Sequence, residues 1–197
     1  MIPIFDNGHG GMIGGEYQTP GKRSPKWEQG VLFEGMFNRW VVNRLIEKMD
    51  RAGLSYYHAS PELNDLGLNQ RVMKSNAINR KDPKTYLLSI HANAGGGEGI
   101  ECFTSPGTTK SDIIAELLLK NIEEDFKGIQ KMRYDLTDGD RDKEAKFKVL
   151  IDTSCPAVLL ECGFMDNKKD YKKLFDESYL ERLVDSIFRT IKQLYLK

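Results

Sequence analysis

Three short apolar runs, each ending in a polar residue beside glycine or another small residue, constrain the fold of this chain more than any other feature. The runs cover residues 2–5, 86–90 and 157–160. Short apolar runs rich in branched and aromatic side chains are typical of buried strands. Because helical patterns separate these runs, we predict an α/β fold in which a twisted, mainly parallel sheet is flanked by helices.

The segments between these runs supply the expected helices and the remaining strands. An apolar stripe at helical spacing predicts a helix over residues 31–52, which Gly53 ends. Residues 131–150 have no regular pattern, and we expect a polar, irregular segment there. Further helices are predicted over residues 66–80, 111–126 and 180–194, and further strands over residues 54–59 and 99–104.

The length and the charge balance of the chain limit its domain number and its partners. Its 197 residues suit one compact domain, and no linker or internal repeat divides them, so we predict a single domain over residues 1–197. Lysine and arginine together number 29, as do aspartate and glutamate, so the chain lacks the overall basic field that favours nucleic acid. No apolar run approaches the length of a membrane span, and we expect no membrane insertion. A monomer is the expected state.

The polar residues that end the three runs are the strongest functional signal. His9 follows the first run after a glycine-rich turn, His91 follows the second, and Glu161 follows the third. Because the carboxyl ends of parallel strands lie along one edge of a sheet, these residues are expected to meet there. Glu34 lies on the apolar stripe of the first predicted helix, where a carboxylate is costly unless it is paired or binds a cation.

Two histidines and a glutamate form a ligand set for catalytic zinc, and a second glutamate can serve as the general base of a hydrolase. Each residue also has a structural interpretation. Either histidine can pack in the fold without a metal, and Glu161 can cap a helix or form a salt bridge. Glu34 can pair with an arginine such as Arg71. The hydrolase interpretation therefore depends on all four residues occurring together.

Four motifs make the chain recognisable. They are DNGHGG at the start, LFEGMFN around Glu34, SIHANA around His91 and PAVLLECGFMDN around Glu161. With these motifs in this order, the chain resembles the zinc-dependent N-acetylmuramoyl-L-alanine amidases of type 3 over nearly its whole length. The resemblance implies that His9, Glu34 and His91 bind zinc and that Glu161 is the catalytic acid/base. It also implies hydrolysis of the amide between N-acetylmuramic acid and L-alanine in peptidoglycan.

Other residues are predicted to contact the substrate. Arg71 lies in a helix that also matches the family, and Asn93 lies in the SIHANA motif. The loop over residues 12–30 is long for a compact domain and carries Trp27. We expect Trp27 either to contact substrate in a groove or to pack the loop onto the domain, and the sequence leaves both interpretations open.

The residues after Met1 show no signal-peptide pattern, which bears on where such an enzyme would act. With no recognisable wall-binding module, we expect a phage or prophage endolysin that is made in the cytoplasm and reaches the cell wall after release. Two other functions stay open, namely a zinc peptidase that cleaves the stem peptide and a non-catalytic wall-binding module. The peptidase would share the zinc ligands, whereas the binding module would not need Glu161.

Three remaining signals are interpreted as structural. His58 lies within a strand pattern. The aspartates between residues 135 and 142 resemble a calcium loop, but the glycine is misplaced and the terminal glutamate is out of register, so we expect a solvated loop. The cysteines form no CxxC pair, and we expect them to be reduced and mostly buried, with Cys162 packing in the core rather than acting as a nucleophile.

Overall fold

The computed structural model describes residues 1–196 and shows one α/β domain built around a six-stranded sheet. The strands, in chain order, are β1 (Ile2–Asp6), β2 (Met12–Ile13), β3 (Glu16–Tyr17), β4 (Tyr57–His58), β5 (Thr85–Asn93), β6 (Glu101–Thr104), β7 (Lys143–Glu144) and β8 (Ala157–Phe164). The main sheet has the order β4, β1, β5, β8, β6, β7, and β2 pairs separately with β3. Neighbours in the main sheet are parallel except for β6 and β8, which are antiparallel.

Helices cover both faces of this sheet. In chain order they are α1 (Glu34–Ala52), α2 (Leu68–Lys81), α3 (Lys110–Phe126), α4 (Lys148–Ile151), α5 (Lys168–Leu174) and α6 (Glu177–Tyr195). One face packs against α1, α3 and α6 through a core that includes Leu88 and Leu160. The other packs against α2 and α4 through Leu87 and Leu159. The central strands are apolar on both sides because both sides are covered, as parallel sheets require.

The two-residue period of the strands directs the polar residues of β5 and β8 to one face. Leu88 and Ile90 belong to the core under α1, α3 and α6, whereas Leu87 belongs to the opposite core. His91 alternates in step with Leu87 and therefore points to the face that carries α2 and α4. The strand register pairs His91 with Glu161, so two residues far apart in sequence become neighbours.

This architecture confirms the predicted fold class, and the differences concern element boundaries. β5 and β8 run through His91 and Glu161, which the sequence placed just after the strands, because pairing between the two strands continues that far. The segment 131–150, expected to be irregular, contains β7 and the start of α4, since β7 extends the edge of the sheet by pairing with β6. The fourth strand is shorter than predicted and covers only Tyr57–His58.

The cysteines agree with the prediction made from the sequence. Cys102, Cys155 and Cys162 are buried and form no disulfide, as predicted. Burial raises the pKa of the Cys162 thiol well above its usual value, so the thiol stays protonated and is a poor nucleophile. None of the described helices is long and apolar enough to cross a membrane.

Candidate active site

Three side chains from three separate elements meet at the carboxyl edge of the sheet. The Nε2 atom of His9 lies 3.2 Å from Oε1 of Glu34, and Nδ1 of His91 lies 2.8 Å from the same oxygen. The two imidazole rings are 5.1 Å apart and perpendicular to each other. Each residue offers one potential ligand atom, and these three atoms lie within 4.8 Å of one another, which is a suitable arrangement for a shared cation.

The turn that carries His9 has an unusual backbone. His9 has a φ of 61°, a left-handed value that only glycine adopts freely, and Gly8 before it has a φ of 43°. A Cβ on Gly8 would lie 2.4 Å from Cε1 of His91, so a glycine is required for that ring to fit. Arg39 holds the turn by donating from Nη1 to the carbonyls of His9 at 2.8 Å and Gly35 at 3.0 Å. Arg39 was not among the site residues predicted from the sequence, where its only signal was a charged residue beside the apolar stripe of α1.

Close packing brings the first turn of α1 against this histidine turn. A Cβ on Gly35 would lie only 1.9 Å from the carbonyl oxygen of Gly10, so the two backbones are in direct contact. The Gly35 amide donates to the Tyr17 hydroxyl at 2.8 Å. The Glu34 amide donates to the Lys22 carbonyl at 3.0 Å. The loop before α1 therefore fixes the position from which Glu34 extends toward the histidines.

The electrostatics of this group fit a bound cation. Glu34 is only 2% exposed, and its Oε2 atom has no hydrogen-bond partner among the described residues. Burial alone would raise the pKa of Glu34, but hydrogen bonds from His9 and His91 hold that pKa well below its usual value. Two imidazole nitrogens and a carboxylate oxygen fit tetrahedral zinc, whose ligand atoms lie about 3.3 Å apart for bonds of about 2.0–2.1 Å. The spare carboxylate oxygen and the donor types thus both suit zinc.

Glu161 lies beside this group on β8 and has a different environment. Its Oε2 atom is buried without a hydrogen-bond partner. Burial raises the pKa of Glu161 to about 7; the nearby His91 opposes the rise, whereas the charge of Glu34 adds to it. A carboxyl group with a pKa near neutrality can both accept and release a proton under physiological conditions.

All four residues line a single cavity of about 830 Å³. The cavity lies between the edge of the sheet and three segments, which are residues 19–23 of the loop before α1, residues 65–68 before α2, and residues 146–149 around the start of α4. Its volume lies in the range that proteins use to enclose small ligands or part of a polymer.

A family model described as N-acetylmuramoyl-L-alanine amidase matches residues 4–193. The chain belongs to this amidase family. The match covers every residue of the site described above, and it confirms at the level of the family the resemblance drawn from the four motifs.

Individual relatives of the amidase domain agree with this assignment. It is 32% identical over 189 residues to the N-acetylmuramoyl-L-alanine amidase CwlM of Bacillus licheniformis, a match that covers 93% of this chain and 64% of that protein. It is 27% identical over 187 residues to the endolysin of Bacillus phage SPP1, covering 92% of this chain and 61% of the endolysin. The chain therefore spans less than two thirds of each of these proteins.

A solved structure matches the fold over almost the full length of both chains. The catalytic domain of CwlV, an N-acetylmuramoyl-L-alanine amidase from Bacillus (Paenibacillus) polymyxa var. colistinus, superposes with a TM-score of 0.70 and 25% identity. The superposition covers 99% of this chain and 97% of that domain.

Arg71 lines the cavity of the amidase domain, but interactions within the fold already engage its guanidinium. Its Nε donates to the Leu66 carbonyl at 2.9 Å, its Nη2 lies 3.2 Å from Asp65, and its Nη1 lies 3.7 Å from Asp6. The alternative in which Arg71 pairs with Glu34 is wrong, because Glu34 contacts the two histidines instead. Substrate contact by Arg71 stays a prediction.

Asn93 also lines the cavity, and a buried carboxylate holds its side chain. Its Nδ2 donates to Glu101 at 2.6 Å, and the other oxygen of Glu101 accepts from Arg133 at 2.7 Å and Lys143 at 2.6 Å. Glu101 was not among the residues predicted from the sequence. The available signal was a carboxylate on the same face of β6 as Phe103, where strand alternation predicts a covered position.

Trp27 lies outside this cavity. Its ring packs edge to face on Tyr171, with the ring centroids 4.7 Å apart, and the Tyr171 hydroxyl donates to the Gly30 carbonyl at 2.9 Å. Of the two predicted roles, packing the loop onto the domain describes the position of Trp27 in this structure. The long loop still lines the cavity, but through residues 19–23 rather than through this tryptophan.

The remaining sequence signals lie away from the chemistry. Nε2 of His58 is 2.6 Å from Oδ1 of Asn7, and burial lowers the pKa of His58 to about 4, which agrees with a neutral structural histidine. Among the described residues, His9, Glu34 and His91 form the one group of three or more His, Cys, Asp or Glu with metal-binding geometry. The aspartates between residues 135 and 142 do not form a second such group.

Proposed function

We propose that this chain hydrolyses the amide between the lactyl group of N-acetylmuramic acid and L-alanine in peptidoglycan, with zinc held by His9, Glu34 and His91. The observation that carries the proposal is the convergence of two imidazole nitrogens on one oxygen of the buried Glu34, at 2.8 and 3.2 Å. Membership of the amidase family supports the choice of bond.

In this mechanism the chain supplies ligands, a proton carrier and a shaped cavity. Zinc, when bound, lowers the pKa of a coordinated water and polarises the scissile carbonyl. Glu161 takes the proton from the attacking water and delivers it to the leaving nitrogen of L-alanine, so that the amide C–N bond breaks and a C–O bond forms. The position of Glu161 supports this double role, because it lines the same cavity as the proposed ligands and its buried Oε2 atom has no hydrogen-bond partner among the described residues.

The surrounding residues position these groups. Arg39 and Gly8 keep the strained His9 turn and the His91 ring in place. The Glu101 carboxylate accepts from Nδ2 of Asn93 at 2.6 Å, and Oδ1 of Asn93 accepts from the Ala94 amide at 2.7 Å, so both ends of this amide are held in the cavity wall and its contact with substrate stays a prediction. These side chains bind and orient, while proton transfer is assigned to Glu161 alone.

The two alternative functions differ in what they require of the site. A zinc peptidase acting on the stem peptide would use the same ligands, so only its products distinguish it. A non-catalytic wall-binding module would have no use for a buried carboxyl with a near-neutral pKa beside the ligand group, and Glu161 therefore disfavours it.

The relatives support only part of the proposed biological setting. One of them is a phage endolysin. We propose that the chain is a single catalytic domain that acts on the cell wall after release from the cell that makes it, with peptidoglycan as its partner.

Product analysis tests the chemistry directly. Purified peptidoglycan is digested with zinc-loaded protein, and the products are identified by mass spectrometry alongside Glu161→Gln, which keeps the size of the side chain but cannot exchange a proton. We expect stem peptides with a free L-alanine amino terminus from the wild type and almost none from the variant. Cleavage within the peptide would instead assign a peptidase, and full activity of Glu161→Gln would refute its role as acid/base.

Metal analysis tests the ligand assignment separately. We expect one zinc per chain in the wild type and in Glu161→Gln, and much less in His9→Ala, because only the last variant loses a ligand. An equal zinc content in His9→Ala would remove that residue from the ligand set.

A further inference from the structure

The cavity carries more positive charge than the balanced composition of the chain suggests. The chain as a whole has 29 basic and 29 acidic residues. The cavity lining, by contrast, has five basic residues against three carboxylates; they are Lys22, Arg23, Arg71, Lys146 and Lys148, with Glu34, Asp65 and Glu161. An uneven distribution of this kind marks a place where an anionic group is favoured.

Ion pairs within the domain neutralise only two of these five cations. Arg71 is paired with Asp65, and Lys148 is paired with Asp152. Lys22, Arg23 and Lys146 have no carboxylate within 4.0 Å among residues 1–196. These three side chains, called here the basic wall, are therefore available to a ligand.

The backbone of the basic wall is fixed relative to the catalytic group. The Lys22 carbonyl accepts from the Glu34 amide at 3.0 Å, which ties Lys22 to a proposed zinc ligand. Arg23 forms a strand-like bridge with Phe33. Lys146, which lines the same cavity, follows Ala145, whose amide donates to the Thr104 carbonyl at 3.0 Å. The three side chains are solvent-exposed, but these backbone hydrogen bonds place each of them at the cavity.

The chemistry of peptidoglycan identifies the anion that such a wall would meet. Its glycan strand has no free carboxylate once the lactyl group is joined to L-alanine. The stem peptide does have them, on the second residue unless it is amidated and on the third residue where that residue is diaminopimelate. An extended peptide advances about 3.3–3.6 Å per residue, so the second and third residues still lie within a cavity of this size.

We propose that the basic wall of Lys22, Arg23 and Lys146 binds a free carboxylate of the stem peptide, next to the scissile amide, and so makes the chain prefer walls that carry this carboxylate. The inference rests on the proposed amidase function. It also fixes the orientation of the substrate, with the peptide directed toward the basic wall and the glycan directed away from it.

The test uses four peptidoglycan preparations and zinc-loaded full-length protein. The second residue carries either an α-carboxylate or an α-amide, and each form has either diaminopimelate or lysine at the third position. The readout is the ratio of initial rates at low substrate concentration between the matched walls. We expect the wild type to cleave the wall with the preferred carboxylate about tenfold faster, as for one charged hydrogen-bonded contact. The pair of matched walls whose rate ratio departs from one shows which carboxylate is bound.

Variants test whether the basic wall causes this preference. Lys22→Gln, Arg23→Gln and Lys146→Gln, combined in one protein, should bring the ratio close to one. The matched control removes the same charge from exposed lysines outside the cavity, with Lys26→Gln, Lys120→Gln and Lys127→Gln combined, and should keep the wild-type ratio. Because the readout is a ratio, a general loss of activity or of stability cancels.

The outcomes separate the two proposals. Equal cleavage of all four walls by the wild type would overturn the carboxylate site and leave the amidase intact. A preference that survives in the basic-wall variant would also overturn it. Rates that depend on wall-attached phosphate polymers rather than on the peptide carboxylates would assign the basic wall to a different anion and overturn it as well. Failure to cleave any wall would overturn the proposed function itself.

Discussion

Replacing Gly35 by alanine sets helix propensity against packing at the active site. Gly35 lies in the first turn of α1, and alanine is favoured over glycine inside a helix by about 1 kcal/mol. In this structure, however, the added Cβ would lie 1.9 Å from the Gly10 carbonyl oxygen and 3.0 Å from its carbonyl carbon. A contact between such atoms needs about 3.5 Å, so the two backbones must separate by more than about 1.5 Å.

This separation should reduce both stability and zinc binding. Overpacking of this kind costs about 1–3 kcal/mol, and after the gain of about 1 kcal/mol in helix propensity we expect a net loss of up to about 2 kcal/mol in the free energy of unfolding. For a chain of this size each kcal/mol shifts the Tm by about 2–4 °C. Glu34 and His9 are the neighbours of the two glycines in sequence. A shift of this size moves them apart by far more than metal ligation tolerates, so zinc affinity should fall at least about tenfold.

Two measurements check this prediction. Thermal unfolding of metal-free protein gives the packing cost alone, and competition with a chromogenic chelator gives the zinc affinity. Gly21→Ala is the control, because nothing lies within 4 Å of a Cβ at that position, in the loop before α1. A Gly35→Ala protein with an unchanged or raised Tm and with the zinc affinity of the wild type would refute the reasoning.

Three further predictions concern hydrogen bonds and burial elsewhere in the structure. Arg39→Met removes the donors to the His9 and Gly35 carbonyls, and chelator competition should show zinc affinity lower by about tenfold, whereas Arg51→Met on the exposed side of α1 should match the wild type. Asp170→Ala removes the acceptor of the Gly99 amide at 2.7 Å, the Phe164 amide at 3.0 Å and the Gln130 side chain at 2.9 Å. Urea titration should show that the free energy of unfolding falls by about 3–5 kcal/mol, and a fall of less than about 1 kcal/mol would contradict this prediction. Burial lowers the pKa of His58 to about 4, below its usual 6.5, so as the pH falls through this window the unfolded chain takes up a proton that the folded chain does not. The free energy of unfolding should therefore fall by up to about 3 kcal/mol between pH 6.5 and 4, and His58→Gln should show a correspondingly smaller fall. If urea titrations gave the two proteins the same dependence of this free energy on pH, His58 would not be its source.

The sequence predicted those parts of the fold and site that depend on local periodicity. The apolar runs fixed the strands, and the rule that parallel strand ends share an edge brought His91 and Glu161 together. Glu34 was recognisable because a carboxylate interrupts an apolar helical stripe. Each of these signals can be seen within one element.

Contacts between distant backbones could not be predicted in this way. Arg39 acts through carbonyls of a turn some thirty residues earlier in the chain, and Glu101 acts through partners on three other segments. Nothing in the neighbouring residues encodes such pairings. The position of Trp27 was undecided for the same reason, because its partner Tyr171 comes from the far end of the chain.

The order in which the active-site residues occur along the chain has a consequence for biosynthesis. His9, Glu34 and His91 all emerge from the ribosome before β8, the strand that pairs with β5 and carries Glu161. All three proposed zinc ligands are thus synthesised while the centre of the sheet is still missing a strand. Under the proposed mechanism, a nascent chain therefore contains every metal ligand before it contains the carboxyl assigned to proton transfer.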